Sequence, residues 1–168
     1  MTEIKKEPTH TISILVANKP GVLVRVALVF ARRGYNIDSL VVSATVNPKY
    51  SRMTITAKGS PETLDQIIKN VDKLVDVIHA SEHDPSHSID RELALIKVKD
   101  TPSHKEEITK YSKKYHAKIV DETEKALIIA QSGTTVELDE FEAILKKMGI
   151  LEYVRSGKLL MARGKEET

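Results

Sequence analysis

One short stretch of the chain combines residue types that suit the binding of a carboxylate: Asn18-Lys19-Pro20-Gly21-Val22-Leu23. The alternating run before it, over 10–17, predicts a half-buried strand, and apolar residues at helical spacing after it predict a helix. A loop that opens a helix presents backbone N–H groups at the positive end of the helix dipole. The stretch therefore offers an anion site, although Pro-Gly also forms plain turns, and the loop alone favours the plain turn.

Three of the six histidines are spaced four residues apart, at His79, His83 and His87. On a helix this spacing would line one face with metal ligands. The segment does not have a helical pattern, because His79 ends a predicted strand and Pro85 disfavours helix at Asp84. We therefore expect solvated linker residues rather than a metal site. No special role is expected for the three isolated histidines, His10, His104 and His116.

The elements around these candidates follow the order strand-helix-strand-strand-helix-strand. Alternating or β-branched residues predict strands, and apolar residues three or four apart predict helices from Val22 and from Leu64. Gly34 suits the position just after the first helix, and Ser60 followed by Pro61 suits the start of the second. The strands are predicted over 10–17, 36–46, 52–58 and 74–79.

The same order restarts after a polar, Pro-containing stretch at 82–88 that we interpret as a linker. Ser/Thr-x-x-Glu sequences that begin at Ser103 and Thr134 predict capped helices, and Gly149 suits the end of the second. The strands are predicted over 92–98, 117–120, 126–130 and 151–155, with a short edge strand over 158–162.

Two such units in tandem predict an α+β protein with two ferredoxin-like (βαββαβ) domains. We place the first domain at 9–83, a linker at 84–90 and the second domain at 91–164. Each sheet carries its helices on one face, so the other face must be solvated, bound to a ligand or buried against a partner. The exposed-looking positions of the third strand are Arg52, Thr54, Thr56 and Lys58.

Composition argues against several functional classes. Without cysteine there is no thiolate nucleophile, disulfide or CxxC metal site, and no Gly-rich phosphate loop or GxSxG elbow occurs. RNA-binding modules of this fold stack bases on sheet aromatics, whereas this chain has two Phe, five Tyr and no Trp. The net charge of +2 is spread over interleaved signs, which predicts no nucleic-acid surface. We interpret the charged residues Glu137, Glu140, Glu142 and Lys146 as a solvated helix face rather than as a catalytic acid and base.

Two further functions are also disfavoured. An acylphosphatase-like enzyme would need an arginine in the first loop, but the loop offers only Lys19, and Arg25 lies a full turn into the helix. No apolar run is long enough to cross a bilayer, and the first eight residues lack the apolar core of a signal peptide. We expect a cytoplasmic protein without membrane contact.

The chain resembles the small, regulatory subunit of acetolactate synthase (acetohydroxyacid synthase) along nearly its whole length. The segment Arg33-Gly-Tyr-Asn-Ile-Asp-Ser-Leu40 is far more specific than a lone Pro-Gly. The matching segments, in family order, are Asn18–Leu23, Phe30–Leu40, Ser51–Ile55, Lys73–Val77, Arg91–Lys97 and Arg155–Gly157.

The resemblance implies that the first domain is an ACT domain, a ferredoxin-like module that binds amino acids. It implies a homodimer in which ACT sheets pair side by side, with valine, or in some members leucine or isoleucine, at the interface. It also implies that this chain has no active site or cofactor of its own. Its partner would be the large catalytic subunit, which uses thiamine diphosphate, Mg²⁺ and FAD to convert two pyruvates into 2-acetolactate and CO₂. The small subunit would raise that activity and confer feedback inhibition in branched-chain amino-acid biosynthesis.

Carried over by position, the resemblance assigns the effector to six residues. Asn18 would hydrogen-bond the ligand, and the amides of Gly21, Val22 and Leu23 would receive its carboxylate. Asn36 and Ile37 would come from the neighbouring chain. Helix N–H groups suit a carboxylate and an Asn oxygen suits an ammonium, although Asn36 by itself is typical of a helix boundary.

Two departures from the family pattern stand out. This chain has Val24 where many relatives have a small hydroxyl residue, so a polar contact to the effector is missing. Thr2–Thr9 and Lys165–Thr168 lie outside the matching region and are expected to be disordered. The alternative function is a free-standing ACT amino-acid sensor that regulates another enzyme or a transcription factor.

Overall fold

The computed structural model describes residues 8–99 and 102–168. Its element order is the predicted βαββαβ twice over, followed by a short strand. The elements are β1 (Thr9–Ala17), α1 (Val22–Arg32), β2 (Ile37–Ala44), β3 (Tyr50–Lys58), α2 (Pro61–Val71), β4 (Val77–Glu82), β5 (Ser88–Lys99), α3 (Pro102–Lys114), β6 (Lys118–Glu122), β7 (Ala126–Gly133), α4 (Thr135–Lys146), β8 (Ile150–Arg155) and β9 (Leu159–Ala162).

The chain divides into two compact units whose boundary falls within β5. The first unit reaches Ile89 and also includes Lys158–Thr168, and the second is Asp90–Gly157. The turn between β4 and β5 covers only 83–87. Part of the segment predicted as a linker, 84–90, is therefore strand, because the alternating pattern of β5 already begins at Ser88.

The first unit is a four-stranded antiparallel sheet in the order β2-β3-β1-β4. One face of β1 and β3 packs against the apolar faces of α1 and α2, as the helical spacing predicts. Gly34 ends α1 with φ of +72°, and the Ser60 hydroxyl accepts the Thr63 amide at the start of α2. The most buried core residues of this unit include Ile12, Ile14, Ile55, Val26, Phe30, Leu64 and Ile67.

Within 8–99 and 102–168 no helix covers the other face of this sheet, yet its central positions are buried. Ser13, Thr54 and Thr56 are all less than 6% exposed, and Arg52 is half-buried. The prediction that Arg52, Thr54 and Thr56 are exposed was therefore wrong, and only Lys58 of that set is exposed. Contacts with other side chains contribute to this burial: Ser13 Oγ lies 2.6 Å from His83 Nε2, and Thr56 Oγ1 lies 2.5 Å from Ser39 Oγ.

The second unit is a sheet in the order β6-β7-β5-β8; β9 pairs with β5 but belongs to the first unit, which also holds the start of β5. The predicted capping box at Thr134 is confirmed, because the Thr134 amide donates to Glu137 Oε2 at 2.7 Å and the Glu137 amide donates to Thr134 Oγ1 at 3.3 Å. The Thr134 hydrogen bonds lower the pKa of Glu137. The core of this unit consists mainly of Ile96, Val98, Ile108, Leu127, Ile129, Leu138, Phe141 and Leu145.

Several predicted boundaries are displaced. The fourth strand is 77–82 rather than 74–79, because Leu74 reaches the core from a turn in which its carbonyl accepts the Val77 amide. An apolar run of this length does not distinguish a turn from a strand. Helix α3 begins at Pro102, one residue before the predicted cap Ser103, whose side chain lies outside the described residues.

The two ends of the chain differ from the expectation of disorder. Thr9 begins β1, and Thr168 Oγ1 accepts the Ala162 amide at 2.8 Å, so Lys165–Thr168 is placed against β9. Residues 2–7, for which disorder was also expected, lie outside the described residues. Among the residues that the structure describes, no helix is both long and apolar enough to span a bilayer.

Candidate functional site

The loop after β1 is held in place by hydrogen bonds to two neighbouring turns. The Asn18 amide donates to the Lys49 carbonyl at 2.8 Å, and Asn18 Nδ2 donates to the Pro48 carbonyl at 3.0 Å. On the other side, the Ala17 amide donates to the Asp76 carbonyl at 2.8 Å. Because Nδ2 is used within the chain, Oδ1 is the side-chain atom with which Asn18 can accept a hydrogen bond from an ammonium group.

Gly21 directly precedes α1 and has φ of +82°, a left-handed conformation that favours glycine. None of the side chains that the structure describes caps this helix, so its first amides face the loop. The Val22 amide donates to the Lys19 carbonyl at 3.4 Å. Of the three amides predicted to bind the carboxylate, this one is therefore partly occupied within the chain. The Val22 side chain is buried in the core and Leu23 is 40% exposed, so Leu23 rather than Val22 can offer apolar contact at the surface.

Arg25 and Asp76 complete this end of the sheet, and sequence reasoning missed both of them. Arg25 Nη2 donates to Asp76 Oδ2, and Arg25 Nη1 lies 3.3 Å from the position that a Cβ on Gly21 would occupy. Lys19 Nζ lies 4.0 Å from Asp76 Oδ1, whose side chain is only 18% exposed. Helical side chains lean toward the N-terminus, so Arg25 reaches back over the loop although it lies one turn into α1.

These groups can recognise a zwitterion. The guanidinium has five N–H donors, and one of its nitrogens is bound to Asp76, so others remain for a carboxylate. The helix start adds a positive dipole end, whereas Asn18 Oδ1 and the Asp76 carboxylate are acceptors for an ammonium group. The loop thus has donors and acceptors for both charged groups of a free amino acid.

Asn36 and Ile37 do not lie near this loop within one chain. Strands β1 and β2 run parallel, since both pair antiparallel with β3, and Ile37 and His10 face the same β3 residue, Ala57. Asn18 follows eight residues after His10, about 25 Å along the strand direction. Asn36 is exposed and lines a separate pocket of about 490 Å³ whose other residues include Tyr35, Asp38, Lys58, Ser60 and Thr63.

Strand β2 is an edge of the first sheet, and its outer side is open. It is eight residues long, contains no Pro or Lys, and leaves Val42 41% exposed. Open edge strands of this length expose unpaired N–H and C=O groups that can pair with another chain. The edge therefore suits strand addition by a second molecule.

The histidines have more specific surroundings than their sequence positions indicate. His83 is half-buried, and its Nε2 lies 2.6 Å from Ser13 Oγ, so the expectation of a solvated linker residue was wrong for it. Burial lowers the pKa of His83, and Arg52 and His79 lower it further, whereas Glu166 raises it. His10 is buried, with Nδ1 2.6 Å from Glu82 Oε1 and Nε2 3.0 Å from the Gly59 carbonyl oxygen.

The second unit holds its own buried ion pair. Arg155 Nε donates to Glu92 Oε2 at 2.5 Å, and Thr135 Oγ1 donates to Glu92 Oε1 at 2.5 Å. Arg155 also donates to Asp139 at 2.6 Å. Burial alone would lower the pKa of Arg155, but the hydrogen bonds to Glu92 and Asp139 outweigh it and raise that pKa. The contacts join β5, α4 and β8, which is a structural role.

The fold and the loop define a regulatory module of the ACT type joined to a second ferredoxin-like unit. The family model described as the AHAS small subunit-like ACT domain matches residues 12–79. The model described as the small subunit of acetolactate synthase matches residues 91–164. The chain belongs to the family of acetolactate synthase small subunits.

Relatives with this name match almost end to end. The acetolactate synthase small subunit of Mycolicibacterium smegmatis is 42% identical over 157 residues, which cover 94% of this chain and 92% of that protein. The one from Mycobacterium leprae is 38% identical, with 94% and 93% covered. The crystal structure of the acetolactate synthase small subunit from Thermotoga maritima matches with a TM-score of 0.86 and 37% identity, over 95% of this chain and 99% of that one.

Proposed function

We propose that this protein is a regulatory subunit that raises the activity of a thiamine-diphosphate acetolactate synthase and makes it sensitive to a branched-chain amino acid. The catalytic partner holds thiamine diphosphate, Mg²⁺ and FAD, and this chain supplies the effector site. Membership of the small-subunit family supports the regulatory role. The proposed location is the cytoplasm. The proposed domain limits remain 9–83 and 91–164, although residues 158–164 pack with the first compact unit.

One observation carries the effector proposal, namely the set of groups around the start of α1. Gly21, Val22 and Leu23 present helix-start amides, and Arg25 Nη1 lies beside Gly21. A carboxylate gains from both the dipole and the guanidinium. The Asn18 oxygen accepts the ammonium group, and Leu23 packs against an aliphatic side chain.

Two copies of the chain are needed to complete the site. If two β2 edges pair antiparallel, the partner's strand runs in the reverse direction. Its Asn36 and Ile37 then come to the end of the sheet at which the Asn18 loop lies. This geometry supports the dimer proposal, because a ligand that touches Asn18 of one chain and Asn36 of the other favours one dimer arrangement.

Regulation follows if the catalytic subunit binds that arrangement differently from the unliganded one. Linkage then requires that effector binding and subunit binding change each other equally, typically by about 1–3 kcal/mol. Val24, exposed on α1, contributes no hydrogen bond to the effector.

The test is calorimetric titration of the purified chain with valine, leucine and isoleucine, with alanine as a control. The proposal expects saturable binding of a branched-chain acid at a stoichiometry tied to the dimer. The complex with the large subunit is then assayed for 2-acetolactate formation with and without that acid. A small subunit that neither binds the large subunit nor changes its rate would favour the free-standing sensor.

A further inference from the structure

A second pocket lies on the helix-free face of the first sheet, away from the start of α1. Its volume is about 500 Å³, within the range of small-molecule sites. Arg52 of β3 contributes from the sheet, and the rest comes from the segment 160–168. All of these residues belong to the first unit. We refer to it as the Arg52 pocket; the lining residues used below are Arg52, Leu160, Met161, Glu166 and Glu167.

Arg52 is a half-buried cation that is not fully compensated within the chain. Its Nη1 is shielded from solvent and has no hydrogen-bond acceptor among the described residues. A desolvated donor on a charged group costs free energy when it stays unpaired. Met53, Ile55 and Ala57 point into the core, so Arg52 points to the helix-free face, where the pocket lies. Nη1 itself is shielded, so an anionic group in the pocket would reach the rest of the guanidinium and neutralise the charge of this half-buried cation.

The pocket also contains negative charge, which decides what kind of anion fits. Glu166 and Glu167 line it. Arg52 lowers the pKa of His83 and Glu166 raises it, so both charges influence the same imidazole ring. A simple anion would be attracted by Arg52 but repelled by two carboxylates, and a simple cation would meet the opposite conflict. A ligand with one charge of each sign satisfies both groups.

The apolar part of the lining selects the rest of the ligand. Leu160 is half-buried and Met161 is 69% exposed, so an apolar surface is available beside the charged groups. Methionine adapts to ligands of different shape. We propose that the Arg52 pocket binds a free α-amino acid with an aliphatic side chain. The carboxylate pairs with Arg52, the ammonium pairs with Glu166 or Glu167, and the aliphatic side chain packs on the apolar part of β9 that lines the pocket.

This site is separate from the proposed effector site. Gly21–Leu23 open α1 on the helical side of the sheet, whereas Arg52 faces the helix-free side. Each site can therefore be removed without touching the other. Gly21→Asp fills the helix-start site, and Arg52→Gln removes the cation of the pocket while it keeps a polar side chain of moderate size.

The experiment is calorimetric titration of the full chain with L-leucine as the probe. The single variants Gly21→Asp and Arg52→Gln and the double variant are compared with the unaltered chain. We expect leucine to bind the Gly21→Asp chain, and we expect Arg52→Gln added to it to weaken that binding at least tenfold. Acetate and isobutylamine, which each carry one charge, should not bind the Gly21→Asp chain.

The outcomes separate the two proposals. If Gly21→Asp abolishes all leucine binding, or if Arg52→Gln changes nothing, the Arg52 pocket is overturned. If Gly21→Asp changes the binding of none of valine, leucine and isoleucine while Arg52→Gln removes leucine binding, the effector proposal fails and the pocket stands. Met161→Asp tests the pocket without risk to the fold because Met161 is exposed, and it should weaken leucine binding to the Gly21→Asp chain; unchanged binding contradicts the proposal.

Discussion

The Nη1 atom of Arg25 lies 3.3 Å from the position of a Cβ on Gly21. Glycine at residue 21 therefore meets two needs, a φ of +82° and space for the guanidinium. In Gly21→Asp the new carboxylate would pair with Arg25 and occupy the proposed place of the effector carboxylate. Feedback inhibition should be lost and activation of the large subunit kept, as measured by acetolactate formation with and without valine.

Gly21→Ala is the matched control for that variant. It adds a Cβ without a charge, and the left-handed conformation should cost about 1–2 kcal/mol of the free energy of unfolding. We expect Gly21→Ala to remain sensitive to valine. Normal inhibition of Gly21→Asp would contradict the helix-start site.

Asn36→Ala should weaken effector binding about tenfold, because the ligand loses one hydrogen-bond partner in a partly desolvated site. The side chain of Asn36 is exposed, so the thermal midpoint should stay unchanged. Calorimetry with the effector measures the affinity. Asn70→Ala, on α2 and away from the site, is the control and should bind normally. Equal affinities in the two variants would remove Asn36 from the site.

Val42→Lys should dissociate the proposed dimer. Each chain would place a lysine within the paired β2 edges, where charges are poorly tolerated and the strands lose apolar contact. Val46→Lys places the same residue on the fully exposed turn after β2 and should leave the dimer intact. Sedimentation velocity gives the association state of each variant. A dimer in both would show that the β2 edge is not the interface.

Stability of the first unit should fall as the pH drops below about 6.5, the ordinary pKa of histidine. Burial, Arg52 and His79 lower the pKa of His83, against the opposing effect of Glu166. Below this pH His83 is protonated in the unfolded chain but still neutral in the folded chain. The free energy of unfolding therefore decreases with falling pH until folded His83 is protonated as well. Urea unfolding at several pH values measures this slope, and His83→Gln should reduce it. An unchanged slope would assign it to other groups.

Glu92→Gln should destabilise the second unit by about 3 kcal/mol, because Arg155 would lose the charge of its buried partner. Glu92 is only 5% exposed. Asp139, the outer partner of Arg155, is 59% exposed. Asp139→Asn should therefore lower the free energy of unfolding by less than about 1 kcal/mol. Chemical unfolding of both variants measures the difference. Equal losses would mean that burial does not set the strength of these pairs.

Local patterns predicted the helices and the order of elements because each depends on residues close in sequence. The Ser60 cap, the Thr134 capping box and the Gly34 and Gly149 stops act within four residues of their targets, and each was predicted from the sequence. The position of β4 was not, since Leu74 and Val77 are apolar in a turn as well as in a strand. The turn is fixed by contacts of Asp76 with Ala17 and Arg25, which are distant in sequence.

The candidate site was predictable only in part for the same reason. The Asn18–Leu23 loop has a local signal, a short turn before a helix. Asp76 has none, since its pairing with Arg25 spans 51 residues. Arg25 was set aside because its distance from the loop was counted along the chain, whereas its side chain leans back over Gly21. The burial of Ser13 likewise depends on a residue distant in sequence, because His83 lies against it 70 residues along the chain.

The first unit is discontinuous in sequence, because Lys158–Thr168 belongs to it and Asp90–Gly157 does not. A ribosome therefore releases the last part of this unit only after the whole second unit has been made. The sheet and its two helices can form early from local pairings. The pairing of β9 with β5 and the hydrogen bonds of Arg163 to the His87 and Ser88 carbonyls close loops of about 75 residues and must form late. A nascent chain that stops at Gly157 would hold every core residue of the first unit and still lack the far wall of the Arg52 pocket.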